Sequence, residues 1–173
     1  AEHLDFFKDL ADVRASFGRF ASNTAEDGAL IISGEIPDWQ EITADTKAQV
    51  ITFGSSSDCD YYPADISYDK KGCATFTPMH GITALPRIHL QVPGIHNVGN
   101  ALAVIALCRS MGIPWEQTAA GLGAFDGADR RFQFKGYFQG AVLIDDYAHH
   151  PTEIKATLSA VKNIHMPDVL YAQ

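Results

Sequence analysis

Residues 28–54 read GALIISGEIPDWQEITADTKAQVITFG. Two short apolar runs, Ala29-Leu30-Ile31-Ile32 and Gln49-Val50-Ile51-Thr52-Phe53, flank a polar-faced segment. Gly28 introduces the first run, and Gly54 with a serine run stops the second. All-apolar runs of this length fit strands buried on both faces of a parallel sheet. Pro37-Asp38 opens the short helix between them, with Asp38 as its cap. A strand-helix-strand alternation predicts an α/β fold built on a parallel sheet.

Upstream, Leu10, Val13, Phe17 and Phe20 recur at helical spacing. Downstream, the pattern changes between Asp60 and Pro93. Segments around Ala64–Tyr68, Cys73–Thr77 and Ile88–Val92 are short and separated by Lys70-Lys71-Gly72 and His80-Gly81. They predict a small antiparallel sub-sheet attached to the parallel one. A helix follows over Asn97–Met111, apolar on nearly every face and therefore packed on more than one side. Gly112 ends it, and Pro114 takes the first position of the next. Arg131–Phe138 and Ala141–Ile144 predict two more strands, and Pro151 opens a last helix with Ile154, Leu158 and Val161 on its apolar face.

The chain has 173 residues, 46% hydrophobic and 20% charged, which suits one globular domain or a domain with part of another. Thirteen Lys and Arg against twenty-one Asp and Glu leave a net charge of −8. That balance argues against a nucleic-acid partner, which needs a basic stripe to displace counterions. No apolar run approaches the roughly 18 residues of a membrane span. Cys59, Cys73 and Cys108 lack CxxC spacing and predict reduced thiols in a cytoplasmic protein. The chain opens without Met at Ala1-Glu2-His3 and closes within the apolar run Val169-Leu170-Tyr171, which reads as a fragment of a longer protein.

Three clusters could carry chemistry. His96-Asn97-x-x-Asn100 puts two carboxamides on one side of a helix entry. Each offers a donor and an acceptor, as reading a purine edge requires, although Asn97 could equally cap the helix. Arg131, after the loop Asp126-Gly127-Ala128-Asp129, suits a phosphate ligand or a salt bridge to Asp126 or Asp129. Asp145-Asp146-Tyr147-Ala148-His149-His150-Pro151 ends an apolar strand, where ligands bind in parallel sheets and a carboxylate can accept from ribose hydroxyls. Neighbouring His side chains diverge, so His149 and His150 do not make a two-His metal site. His3, with Glu2 and Asp5, forms a smaller polar cluster at the start of the chain.

Taken together, these segments resemble the Mur ligase family. The motifs that carry the likeness are His3-Leu4-Asp5-Phe6-Phe7-Lys8-Asp9, His96-Asn97-Val98-Gly99-Asn100-Ala101, Arg130-Arg131-Phe132, and Asp145-Asp146-Tyr147-Ala148-His149-His150-Pro151-Thr152-Glu153. The last is characteristic of the alanine-adding branch and its recycling relative. The resemblance implies an ATP-dependent ligase that joins L-alanine to UDP-N-acetylmuramate through an acyl phosphate in peptidoglycan synthesis, with Mg²⁺. By position it implies adenine contacts from His96, Asn97 and Asn100, phosphate contact from Arg131 and ribose contact from Asp146. Tyr147 and His149 then face the incoming amino acid and the acceptor carboxylate, and His3 the metal.

No G-x-x-x-x-G-K-[ST] phosphate loop occurs in the 173 residues. The resemblance therefore implies that residues 1–145 are the later half of the central ATP-binding domain. Residues 146–173 are then the hinge and the start of a carboxy-terminal domain. On that reading the fragment alone is inactive, and its cut sheet edges invite self-association. Two rivals stand beside it: a murein-peptide recycling ligase that takes a tripeptide in place of alanine, and a nucleotide-binding module without turnover.

Overall fold

The computed structural model describes residues 6–162. Helix α1 (Leu10–Ser22) precedes strand β1 (Ala29–Ser33), helix α2 (Trp39–Thr43) and strand β2 (Gln49–Phe53). Strands β3 (Tyr61–Tyr68), β4 (Cys73–His80), β5 (Thr83–Ala84) and β6 (Ile88–Pro93) follow, then helices α3 (Ile95–Ser110) and α4 (Trp115–Ala124). The chain continues through β7 (Gln133–Phe138) and β8 (Ala141–Asp145) to helix α5 (Pro151–Lys162).

Six strands form one mixed sheet. β1 and β2 run parallel in the register Ala29↔Gln49 to Ser33↔Phe53, and β2 meets β3 in parallel at Phe53↔Tyr61. β3, β4 and β6 make the expected antiparallel part, with β4 central and β5 a short hairpin partner to it. Helix α3 crosses the sheet and buries Val98, Ala101, Leu102, Ile105 and Ala106 against Ile51, Tyr61, Phe76, Ile88 and Leu90. Phe76 and Ile105 are wholly excluded from solvent. Burying aliphatic and aromatic side chains of this size contributes about 1.5–3 kcal/mol each, so this contact fixes α3 on the sheet.

Several local expectations need correction. β1 lies at the sheet edge and is half-buried throughout, although its run is as apolar as that of a central strand. Asp38 precedes α2 in the left-handed region (φ 52°) and its side chain makes no capping bond. Arg14 instead holds that turn by donating to the carbonyls of Pro37 and Asp38, both at 2.9 Å. Pro114 is the cap of α4 rather than its first residue, and the strand after Arg131 starts at Gln133. Helix α3 packs on more than one side as expected, against the sheet and against α4 and α5, while Val104, Leu107 and the capping Met111 stay exposed.

The largest difference concerns β7 and β8. They pair only with each other, in an antiparallel sheet separate from the six-stranded one. The 145–151 loop therefore does not leave the carboxyl end of a parallel strand, and its nearness to α3 has another cause. Helix α5 packs near the start of α3, where Ala160 is buried and its Cβ lies 3.4 Å from where Gly94 would carry one. Of the expected apolar face of α5, Ile154 and Leu158 are exposed and Val161 is half-buried. No helix among the described residues is long and apolar enough to cross a membrane.

Candidate functional site

Between the start of α3, the 125–131 segment, the β7–β8 pair and α5 lies a cleft of about 1480 Å³. That exceeds the roughly 300–1,000 Å³ of most small-molecule pockets and leaves room for an extended ligand. His96, Asn97, Asn100, Arg131 and Asp146 all line it. Three segments, more than thirty residues apart at the extremes, thus deliver the expected nucleotide residues to one cavity. Tyr147 and His149 do not line it; they sit outside, both more than half exposed, with their rings 5.4 Å apart. A smaller cavity of about 420 Å³ between α1 and α2 contains none of these residues.

Gly94 makes the tight entry into α3. Its φ of 99° and ψ of 143° belong to a region open essentially to glycine alone, and it caps the helix without a side chain. Asn97 is therefore inside the first turn and does not cap. Its Nδ2 donates to the Pro93 carbonyl at 2.8 Å and lies 3.2 Å from Nε2 of His96. Its Oδ1 accepts from Nδ2 of Asn100 at 3.2 Å. In this relay the Asn97 carboxamide is committed to the protein, while Asn100 keeps its carbonyl oxygen and one N–H for a ligand. Desolvation pushes the His96 pKa down, Arg131 pushes the same way, and Asp146 opposes them. A neutral imidazole accepting at Nε2 is the form that completes the relay.

Arg131 sits on a strained bend. Arg130 (φ 60°) and Phe132 (φ 48°), on either side, both occupy the left-handed region. Non-glycine residues there cost about 1–3 kcal/mol each, a cost retained where surroundings over-determine the backbone. The bend separates the two arginines. Arg130 lies over the Tyr147 ring, 4.5 Å from its centroid, while Arg131 lines the cleft. Neither Asp126 nor Asp129 pairs with Arg131. Its partner is Glu153, at 3.4 Å, and Asp129 accepts from Gln133 instead.

Glu153 is a residue that sequence reasoning quoted within a motif but gave no role. It also accepts from the backbone N–H groups of His149 and His150, both at 3.4 Å. Those two amides, followed by Arg131, hold its carboxyl below the usual range. This is the reciprocal half of a capping box, in which an acidic third residue reaches back to the helix start. The Thr152-Glu153 pair after His-His-Pro was a readable signal for it. His149 lies with Nδ1 3.1 Å from the Tyr147 carbonyl, which fixes the proton on that nitrogen. Asp146 accepts from the Ala148 N–H and from the Thr157 hydroxyl, each at 2.8 Å.

His3 lies outside the described residues. Among those described, no group of three His, Cys, Asp or Glu could hold a metal ion. Cys59, Cys73 and Cys108 are free thiols, and burial pushes those of Cys59 and Cys73 up, which leaves them unreactive.

The Mur ligase middle domain matches residues 1–108, and the Mur ligase glutamate ligase domain matches residues 130–171. The UDP-N-acetylmuramate–L-alanine ligase of Agathobacter rectalis is 54% identical over 94% of this chain, and that of Lachnospira eligens 47% over 92%. The chain spans only 35% of the length of each. The solved UDP-N-acetylmuramate-alanine ligase of Thermotoga maritima superposes with a TM-score of 0.77 at 28% identity, covering 95% of this chain and 36% of that one. A murein peptide ligase from Psychrobacter arcticus gives 0.66 at 26%, covering 90% and 33%. With one domain profile covering well over half of its residues and a second covering its end, the chain belongs to the Mur ligase family.

Proposed function

We propose that this chain is the part of a UDP-N-acetylmuramate–L-alanine ligase that holds ATP for the reaction. The lactyl carboxylate of UDP-N-acetylmuramate attacks the γ-phosphorus, the bond to ADP breaks, and an acyl phosphate forms. The amine of L-alanine adds to the acyl carbon. Phosphate then leaves and the amine loses a proton, giving the amide. In this scheme Asn100, oriented by Asn97 and His96, reads the adenine edge, and Asp146 accepts from ribose hydroxyls. Arg131 meets the phosphates, where a fixed guanidinium stabilises charge that develops in the transition state. Tyr147 and His149, outside the cleft, face the amino acid and the acceptor carboxylate.

One observation carries the reading: His96, Asn97, Asn100, Arg131 and Asp146 line a single cleft. The 54% identity to an alanine ligase favours alanine over a peptide as the amine. Ligases of this family spend ATP and generally use Mg²⁺. The described residues hold no ligand set for such an ion. We place the activity in the cytoplasm.

The domain division belongs to the same proposal. The two family matches leave 109–129 between them, and β7–β8 is separate from the main sheet. Both observations support a division near 125–130, ahead of the one drawn at 145/146 from sequence. A turnover assay of the full-length protein tests the function. Phosphate release from ATP and UDP-N-acetylmuramate should depend on free L-alanine. Release that instead requires a tripeptide points to the recycling ligase, and no release with either points to a module without turnover. The 173-residue chain by itself should catalyse none of these.

A further inference from the structure

Asp146 leaves the end of β8 with both carboxylate oxygens already engaged. Oδ1 accepts from the Ala148 N–H two residues on, and Oδ2 accepts from Thr157 Oγ1, each at 2.8 Å. The first bond is local and belongs to the turn. The second crosses from the loop to the second turn of α5, eleven residues away. Thr157 is an odd choice for that helix position. Its neighbours on the same face are Ala156 and Ala160, and Thr is a weaker helix former than Ala. Being β-branched, it is confined in a helix to two χ1 rotamers, and the bond to Asp146 selects the one observed.

We propose that Thr157 is a positioning residue for the nucleotide ribose, acting through Asp146. The inference rests on the reading of Asp146 as the ribose ligand and extends it to a residue on another element. An ionised carboxylate has about four lone-pair sites. The Ala148 N–H and the Thr157 hydroxyl take one on each oxygen and leave one on each for two vicinal hydroxyls. With the Ala148 bond alone, the carboxylate can turn about χ2, whose preference is broad. The Thr157 bond stops that rotation. It also makes the ribose contact depend on α5 being docked against α3, so the nucleotide senses the position of the last helix.

The test uses the full-length ligase and compares wild type, Thr157→Val, Thr157→Ser and Asp146→Asn with ATP and with 2′,3′-dideoxy-ATP. A hydrogen bond to a charged group sets the scale: Thr157→Val should raise KM for ATP about tenfold. It should lower kcat by less than about twofold. Thr157→Ser, which keeps the hydroxyl, should restore KM. With the dideoxy nucleotide, which offers no ribose hydroxyl, wild type and Thr157→Val should have the same KM. If Thr157→Val fails to fold, Thr157→Ala serves in its place, since Ala suits the helix. An equal penalty with both nucleotides, or no rescue by Ser, would overturn the inference as a packing effect. If Asp146→Asn raises KM for ATP and neither Thr157 variant does, only the role of Thr157 fails. If Asp146→Asn changes nothing, the ribose reading fails and this inference with it.

Discussion

Adjacent arginines at 130 and 131 are chemically identical but occupy different surroundings, because the left-handed residues on this bend turn them apart. Arg130 stacks on Tyr147 outside the cleft, and Arg131 enters it. In the full-length ligase, Arg131→Ala should remove about 2–4 kcal/mol of transition-state stabilisation, read as kcat/KM, by analogy with loss of one charge-stabilising donor. Arg130→Ala should cost much less. Equal losses would mean that the bend does not divide their roles. His96 gives a second prediction at this scale. Its pKa is lowered, mainly by desolvation, so the neutral form is favoured in the folded protein. The unfolded chain then binds more protons near the ordinary His value of about 6.5. The contribution of His96 is fully present above that pH and is lost as pH falls through it towards the lowered folded value. Nucleotide affinity should follow the same course, because a protonated Nε2 can no longer accept from Asn97. Calorimetric titration of ATP between pH 8 and about pH 5.5 checks this, with His96→Gln losing the added slope.

Gly94 governs the meeting of elements. A Cβ there would lie 2.7 Å from Cε1 and 2.9 Å from Nδ1 of His96, and 3.4 Å from the Ala160 Cβ. The substitution Gly94→Ala therefore meets a backbone cost and displaces both the imidazole and the seat of α5. It should destabilise the protein by about 1–3 kcal/mol in denaturant unfolding and weaken nucleotide binding as well. An unchanged midpoint would show that α5 does not depend on this glycine. The same elements show what could be read in advance. Periodicity places α3, β2 and the antiparallel strands well, because burial in the core selects apolar residues at every inward position. It fails for α5, whose apolar residues Ile154 and Leu158 stay exposed while Glu153, Ala156 and Thr157 line the cleft. Close packing there is set by small side chains, and these leave no apolar stripe to find. It fails for β1 too, since an all-apolar run cannot tell an edge strand from a central one when nothing in the run names its neighbours. Of the motif residues, His96, Asn97, Asn100, Arg131 and Asp146 line the cleft while Tyr147 and His149 stay outside it, and the relay through Asn97 depends on a backbone turn invisible to spacing.

At the scale of the whole molecule, the cleft is assembled between the six-stranded sheet with its helices and the β7–β8–α5 segment. The six-stranded sheet supplies the entry of α3, and the β7–β8–α5 unit supplies Arg131 and Asp146. Neither unit alone lines the whole cleft. Exposed apolar residues elsewhere, such as Phe17 and Phe20 on α1, line no part of the cleft. The most direct test is a titration of the isotope-labelled 173-residue chain with ATP, following backbone and side-chain amide resonances. Weak binding is sufficient for this measurement. Shifts should concentrate at Gly94–Ala101, Asp126–Arg131 and Asp146–Ala148, with the Asn100 carboxamide among the largest. Shifts that fall instead around the cavity between α1 and α2, or none at saturating ATP, would contradict the assignment of the cleft.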